Sequence, residues 1–410
     1  MLKKIAVQDV RLGMYIHAFA GSWLDHPFWR SKFLLEDPAD LQLVRQSAVR
    51  EVWIDVSKGA DAAAEAMPVA QVASAEQVEE ALRQDRAVER SLEPTSTASE
   101  LMRAAAICKS AKHAITSMFT DARMGKAIDQ AVARQVAEDI ADSVIRNGNA
   151  LISLARLKTA DDYTYMHSVA VCALMVALAR RLGLPDEEVR AAGFAGLLHD
   201  LGKMDVPLEV LNKPGRLTDE EFELVRQHPA KGHERLLAAG IHHEQALEVC
   251  LHHHEKLDGT GYPHRLAGPQ VSLMARMGAV CDVYDAITSN RPYKAGWDPA
   301  ESLARMAQWV NSHLDGRVFQ AFVRSLGVYP VGSLVLLSNG KLAVVVDQSR
   351  GSLLKPIVKT VFSVNSYERV VPELIDLSSP SCRHTIVKRE DPAKWRISGL
   401  DEIWAGSLAA

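Results

Sequence analysis

Ten of the chain's fifteen histidines fall between positions 167 and 264, and acidic residues stand beside several of them. They are carried by separated segments: His167; His199-Asp200-Leu201-Gly202-Lys203; His228-Pro229; His253-His254-Glu255; and Asp282. Imidazole nitrogen and carboxylate oxygen are the usual ligands of zinc, manganese and iron. A fold for this chain therefore has to answer one question: do these segments converge? Each of them stands at or near a helix end or on an apolar helix, and a helical bundle core is a common place to gather such ligands.

Helix punctuation supports that reading. From about residue 99 to about 326 the apolar spacing is helical. Leu182-Gly183 closes one helix, and Pro185-Asp186-Glu187-Glu188 opens the next. Thr218-Asp219-Glu220-Glu221 has the form of a capping box, and Asp298-Pro299-Ala300-Glu301 follows the same logic. His199 and Asp200 end a helix just before Gly202. Adjacent helical side chains point about 100° apart, so both can serve one cluster only from different angles. An imidazole at one end and a bridging carboxylate beside it meets that condition. His228 precedes Pro229, where a helix must break or restart.

Outside this region the period changes. Val10–Ile16 and Glu51–Val56 read as strands, and Asp37 caps a short helix with Pro38 at its first position. Residues 67–98 read as linker. Ser333–Leu337, the Asn339-Gly340 turn and Leu342–Val346 read as a hairpin. The expected fold is mainly α: a helical bundle at 99–328, a small N-terminal α/β domain at 1–66, and a C-terminal β extension and tail at 329–410.

Composition excludes some functions. The net charge of −4 provides no general basic field for DNA or RNA. Five scattered cysteines, with no C-x-x-C pair, suit a reduced interior rather than a disulfide framework. The apolar run Val169–Ala179 is shorter than a bilayer span and ends at Arg180-Arg181, so a buried helix and a cytoplasmic protein are expected. His17, His26, His113, His313 and His384 read as ordinary core or surface residues. His233, His242, His243, His252 and His264 read the same way.

The stretch from about Asp161 to Leu326 resembles an HD-GYP domain, a bacterial branch of the HD metallohydrolase superfamily. The resemblance is carried by His167-Ser168-Val169, His199-Asp200-Leu201-Gly202-Lys203, His228-Pro229 and His253-His254-Glu255. It continues through Asp258-Gly259-Thr260-Gly261-Tyr262-Pro263, Asp282 and Arg291-Pro292-Tyr293-Lys294. Residues 1–60 resemble a small domain of unknown function often found ahead of HD-GYP domains, through Pro27-Phe28-Trp29 and Val52-Trp53-Ile54-Asp55.

The resemblance implies hydrolysis of cyclic di-GMP to pGpG, with GMP as a further product. It implies two divalent metals, iron first and manganese second. His167, His199 and Asp282 would hold one, His228, His253 and His254 the other, and Asp200 would bridge. Two cations about 3.5–4 Å apart suit a negatively charged phosphodiester. Lys203 would serve the scissile phosphate as a point charge. Arg291, Lys294 and Tyr262 would contact substrate. Some members of the family take a third metal through a Glu four residues before the first His. Tyr163 stands there, which points to two metals; Asp161 and Asp162 are the nearby carboxylates that would favour a third. The Gly261-Tyr262-Pro263 loop would also meet diguanylate cyclase domains, and a homodimer through 99–160 is a further expectation. The competing reading is an adaptor that binds cyclic di-GMP or a cyclase domain without turnover.

Overall fold

The computed structural model describes residues 2–20, 32–46, 49–60, 95–125, 128–157, 163–213, 215–289, 296–349, 352–395, 397 and 399–409. The chain divides into two compact units, Met1–Glu93 and Pro94–Ala410.

The first unit is an antiparallel sheet of four strands: β1 (Leu2–Ala6), β2 (Tyr15–Ala20), β3 (Phe33–Leu34) and β4 (Glu51–Asp55), in the order β1-β4-β2-β3. Helix α1 (Pro38–Gln46) joins it. Val10, Met14, Ile16, Leu35, Val44, Val52 and Ile54 form its fully buried core. The strand expected at Val10–Ile16 begins only at Tyr15. Gly13 sits at φ 85° in a turn, so Val10 and Met14 reach the core from the two arms of a bend. Strand β1 is an addition to the expected elements.

The second unit is built around α5 (Tyr163–Leu182). The 18 residues Tyr165–Leu182 are long and apolar enough to cross a membrane, but 72% of that stretch is buried within the protein. Six of the described helices pack on it: α2 (Thr97–Arg123), α3 (Gln130–Arg146), α4 (Ala150–Arg156), α6 (Asp186–Leu198) and, further along the chain, the helices Leu273–Thr288 and Gly316–Leu326. Its tightest partner is α6. At Gly196 a Cβ would come within 3.0 Å of the Val171 carbonyl and 3.1 Å of the Cys172 Cα. Only glycine permits that approach, which brings the His167 helix against the end of the His199 helix. Gly183 ends α5 at φ 77°, as its position in the sequence predicts.

The remaining helices are α7 (Leu208–Leu211), α8 (Asp219–Arg226), α9 (His228–Ala238), α10 (Glu244–His252), α11 (Leu273–Thr288), α12 (Pro299–Met306), α13 (Gly316–Leu326), α14 (Pro392–Trp395) and α15 (Leu400–Ala405). The capping box forms at α8. The Thr218 N–H donates to Glu221 Oε2 at 2.7 Å, and the Glu221 N–H donates to Thr218 Oγ1 at 3.3 Å. Asp298 caps α12 through the Glu301 N–H at 3.0 Å.

The expected hairpin is present as β5 (Leu334–Leu337) and β6 (Lys341–Asp347), with Leu334 opposite Val344. It belongs to a larger antiparallel sheet with β7 (Ile357–Ser363), β8 (Glu368–Arg369), β9 (Leu374–Asp376) and β10 (Ile386–Arg389). Val335, Leu337, Ala343, Val345 and Val358 form its core.

Candidate metal centre

Each candidate ligand is placed by a helix or a helix end. His167 lies on α5 and Asp282 on α11. His199 is the C-terminal cap of α6, and Asp200 follows it. His228 opens α9 with Pro229 next to it, after α8 has closed at Arg226. His253 caps α10, and His254 follows. The helix-end placement leaves adjacent residues free to diverge, so His199 and Asp200 enter one cluster from different sides.

The seven side chains converge. Three groups have ligand atoms all within 4.8 Å of one another: His167, His199 and Asp282; His228, His253 and His254; and His199, Asp200 and His253. Asp200 joins the first two. Its Oδ2 lies 3.3 Å from His167 Nε2 and 3.4 Å from His199 Nε2. Its Oδ1 lies 3.2 Å from His228 Nε2 and 3.7 Å from His253 Nε2. One carboxylate oxygen thus faces each half.

The imidazoles are set in a single tautomer by their other nitrogens. His167 Nδ1 bonds to Asp285 Oδ2 at 2.6 Å. His199 Nδ1 donates to the Gly196 carbonyl at 2.7 Å, and His228 Nδ1 to the Val225 carbonyl at 2.7 Å. His253 Nδ1 donates to the Val249 carbonyl at 2.9 Å. With Nδ1 engaged in this way, the Nε2 atoms of these four imidazoles face the cluster, as metal-ligating histidines require.

The residues fit a pair of cations. His199 Nε2 and Asp200 Oδ1 are buried without a hydrogen-bond partner, an arrangement that costs free energy unless a ligand satisfies them. His199, Asp200 and His228 are fully buried, and ligand atoms spaced 3–4 Å apart suit bonds of about 2.0–2.2 Å to a common ion.

The protein also shifts the cluster's protons. Burial opposes charge on His167, but hydrogen bonds to Asp200, Asp282 and Asp285 outweigh it and lift its pKa to about 10. Burial would raise Asp200, but Lys203 and the imidazoles of His199, His167 and His228 around it hold it well below the usual carboxylate range. Asp282 is held low in the same way, with burial outweighed by His167 and His199. Burial pushes His253 well down and His254 to about 3.

Lys203 stands on the 3₁₀ turn Leu201–Asp205, with its Nζ 2.5 Å from Asp200 Oδ2 and its side chain 21% exposed. It is the cation at the mouth of the cluster. Tyr262 packs on the second half, its ring centroid 4.8 Å from that of His254. Gly261 makes this possible. A Cβ there would collide with the backbone of His254, Glu255 and Lys256, so only glycine lets the loop lie so close.

Glu255 is buried and holds the same loop from inside. It accepts the His264 N–H at 2.6 Å and the Leu266 N–H at 3.0 Å. Its carboxylate thus organises backbone. His252 bonds to Glu248 at 2.9 Å and to His264 at 3.0 Å, outside the metal grouping. Arg291 and Lys294, the other two residues expected at the substrate, lie outside the described residues, as do Asp161, Asp162 and Pro27-Phe28-Trp29. Arg226 was not singled out from sequence. Its position two residues before His228 was the available signal.

Comparison with known proteins agrees with this geometry. The profile of a family described as an HD domain matches residues 140–318, and that of a domain of unknown function, DUF3391, matches residues 2–133. The chain is 53% identical to a cyclic di-GMP phosphodiesterase of Pseudomonas aeruginosa, over 99% of this chain and 96% of that protein. It is 39% identical to the cyclic di-GMP phosphodiesterase response regulator RpfG of Xanthomonas campestris, over 36% of this chain and 39% of that one. A 3'3'-cGAMP-specific phosphodiesterase of Vibrio cholerae is 36% identical over 41% of this chain and 39% of its own. The HD domain implies divalent-metal binding, and a His/Asp cluster that could hold such ions is present. The chain belongs to the HD-GYP family of the HD metallohydrolase superfamily, with a DUF3391 domain at its N-terminal end.

Proposed function

We propose that His167, His199 and Asp282 hold one divalent cation, that His228, His253 and His254 hold a second, and that Asp200 bridges them to cleave cyclic di-GMP. The chain is a metal-dependent cyclic di-GMP phosphodiesterase, as its 53% identity to such an enzyme along nearly its whole length supports. The observation that carries the bridging role is Asp200, with one oxygen toward each histidine group.

When bound, two such cations activate water, neutralise the phosphate and stabilise the charge that grows as the bond to the leaving oxygen breaks. The protein's own residues do the rest. Asp285 and the three backbone carbonyls keep four imidazoles facing inward. The Asp200 and Asp282 carboxylates stay ionised because the surrounding cations and hydrogen bonds outweigh burial. Lys203 sits where the scissile phosphate enters and offers it a point charge. Tyr262 closes one wall above His254. Arg291 and Lys294 complete the substrate contacts.

Five imidazoles and two carboxylates suit iron, manganese, nickel or zinc by ligand type. The family resemblance puts iron first and manganese second. The product is pGpG, with GMP as a further product. The loop at Gly261-Tyr262-Pro263 is the face we assign to diguanylate cyclase domains, and the helices of 99–160 to self-association. We place the protein in the cytoplasm.

The test is elemental analysis of anaerobically purified protein, paired with product analysis on cyclic di-GMP and 3'3'-cGAMP. Two equivalents of metal and conversion of cyclic di-GMP to pGpG are expected. Binding of cyclic di-GMP without product, with both metals in place, would establish an adaptor instead.

A further inference from the structure

The packing on His254 continues outward beyond Tyr262. The Arg226 guanidinium carbon sits 5.1 Å from the Tyr262 ring centroid and 5.9 Å from that of Phe222. A metal-site imidazole, a phenol, a guanidinium and a second phenyl ring thus follow one another from the cluster to the surface. Phe222 is 46% exposed at the outer end.

This series is not core packing. Helix α8, which carries both Phe222 and Arg226, has no buried residue. It is tied down by its capping box and by Lys213, whose Nζ bonds to Glu221 at 2.6 Å. An unpacked helix of this kind has little reason to place a guanidinium against two rings for stability. A surface ion pair explains only one of the arginine's bonds, from Nη1 to Glu223 Oε1 at 2.6 Å. A guanidinium carries five N–H donors in one plane, and with rings beside it those that remain are best used along its edge. That edge fits the oxygens of a phosphate.

Cyclic di-GMP carries two phosphodiesters. The cations and Lys203 account for the one being cut. The other keeps its negative charge while bound. We propose that Arg226 is a substrate-binding residue that receives the uncut phosphodiester, with Phe222 and Tyr262 fixing its plane. This rests on the reading of the chain as a cyclic di-GMP phosphodiesterase.

The experiment compares cyclic di-GMP with bis(4-nitrophenyl) phosphate, a single phosphodiester with no second phosphate, using the full-length metal-loaded protein. Arg226→Ala should raise KM for cyclic di-GMP about tenfold or more, with kcat within about threefold, because the lost contact is the same in ground and transition states. Turnover of bis(4-nitrophenyl) phosphate and metal content should stay at the wild-type level. Arg226→Lys should recover part of the loss, since it keeps the charge but not the fork. A fall in both substrates together would make Arg226 a prop for Tyr262 and overturn the proposal. So would unchanged kinetics on cyclic di-GMP. If the wild type cleaves bis(4-nitrophenyl) phosphate but not cyclic di-GMP, the functional reading falls and this inference with it. If the wild type cleaves both and Arg226→Ala matches it, only the inference falls.

Discussion

The two halves of the metal centre are built from different chemistry. The half of His167, His199 and Asp282 is rich in carboxylate: Asp200, Asp282 and Asp285 all lie within hydrogen-bonding or ion-pair range of His167. The half of His228, His253 and His254 contributes three imidazoles, with one oxygen of Asp200 beside His228 and His253 and Asp282 Oδ2 3.8 Å from His254 Nδ1. The first is closed, with all three members buried. The second opens at His254, whose side chain is 23% exposed and carries Tyr262 on its ring. Before a cation arrives, the first half holds a proton on His167 at neutral pH, while His253 and His254 are already neutral. Under the proposed function this is a division of labour: the buried, carboxylate-rich half would anchor metal, and the half that opens at His254 would receive substrate.

The largest effect should come from the residues the halves share. His199→Ala with Asp200→Ala removes one ligand and the bridge. Activity should fall by at least about 10⁴-fold and both metal equivalents should be lost, with helical content by circular dichroism intact. Activity within a few-fold of wild type would dissolve the comparison altogether, since no shared centre would exist. His254→Ala tests the open half alone. One metal equivalent should remain, with turnover down about a hundredfold or more. Loss of both equivalents would mean that the halves do not bind separately.

Lys203→Ala should lower kcat about tenfold to a hundredfold and raise KM less, because a charge at the scissile phosphate matters most as negative charge grows. An unchanged kcat would confine Lys203 to its ion pair with Asp200. Asp285→Asn strikes the anchoring half through the hydrogen bond that orients His167. Metal affinity should fall about tenfold to a hundredfold, with one equivalent more affected than the other. Equal weakening of both would remove the distinction drawn between anchor and receiver.

Much of the candidate site was legible in the sequence because several of its residues stand beside strong punctuation. Gly202 follows His199-Asp200, Pro229 follows His228, and Gly259 and Gly261 follow His253-His254, so both the ligands and the helix ends could be located together. The roles of the two Asp200 oxygens were not legible, because no periodicity records which oxygen faces which helix. The role of Glu255 was not legible for a related reason: its partners, the N–H groups of His264 and Leu266, come within reach only once the loop has folded back. Arg226 lay on a helix with no apolar face turned to a core, where spacing carries little information. In the C-terminal sheet, β8 and β9 are two and three residues long and mostly exposed, too short to display alternation. At Val10–Ile16 the opposite happened: a bend at Gly13 placed Val10, Met14 and Ile16 in one core and imitated a strand.

The smallest signal, and the one that most sharpens the contrast, is a count of protons. His167 has a pKa of about 10 without metal, so a cation binding through its Nε2 at pH 7 must displace a proton. His254, at about 3, and His253, held well below its usual range, have none to give. Titrating metal into apo-protein in weak buffer at pH 7 should therefore release a proton from His167 and none from His253 or His254. Affinity of the His167 half should fall as pH drops below about 10, because the cation must displace the proton that His167 holds. The stability of the apo-protein follows the same groups. His167 is raised above its unfolded value of about 6.5, so its contribution is complete below that pH and is lost as pH rises through about 10. Asp200 and Asp282 are depressed, so theirs is present above their ordinary value of 3.8 and is lost on acidification. Release of no proton would mean that the carboxylates do not hold His167 charged, and the two halves would then differ in exposure but not in charge.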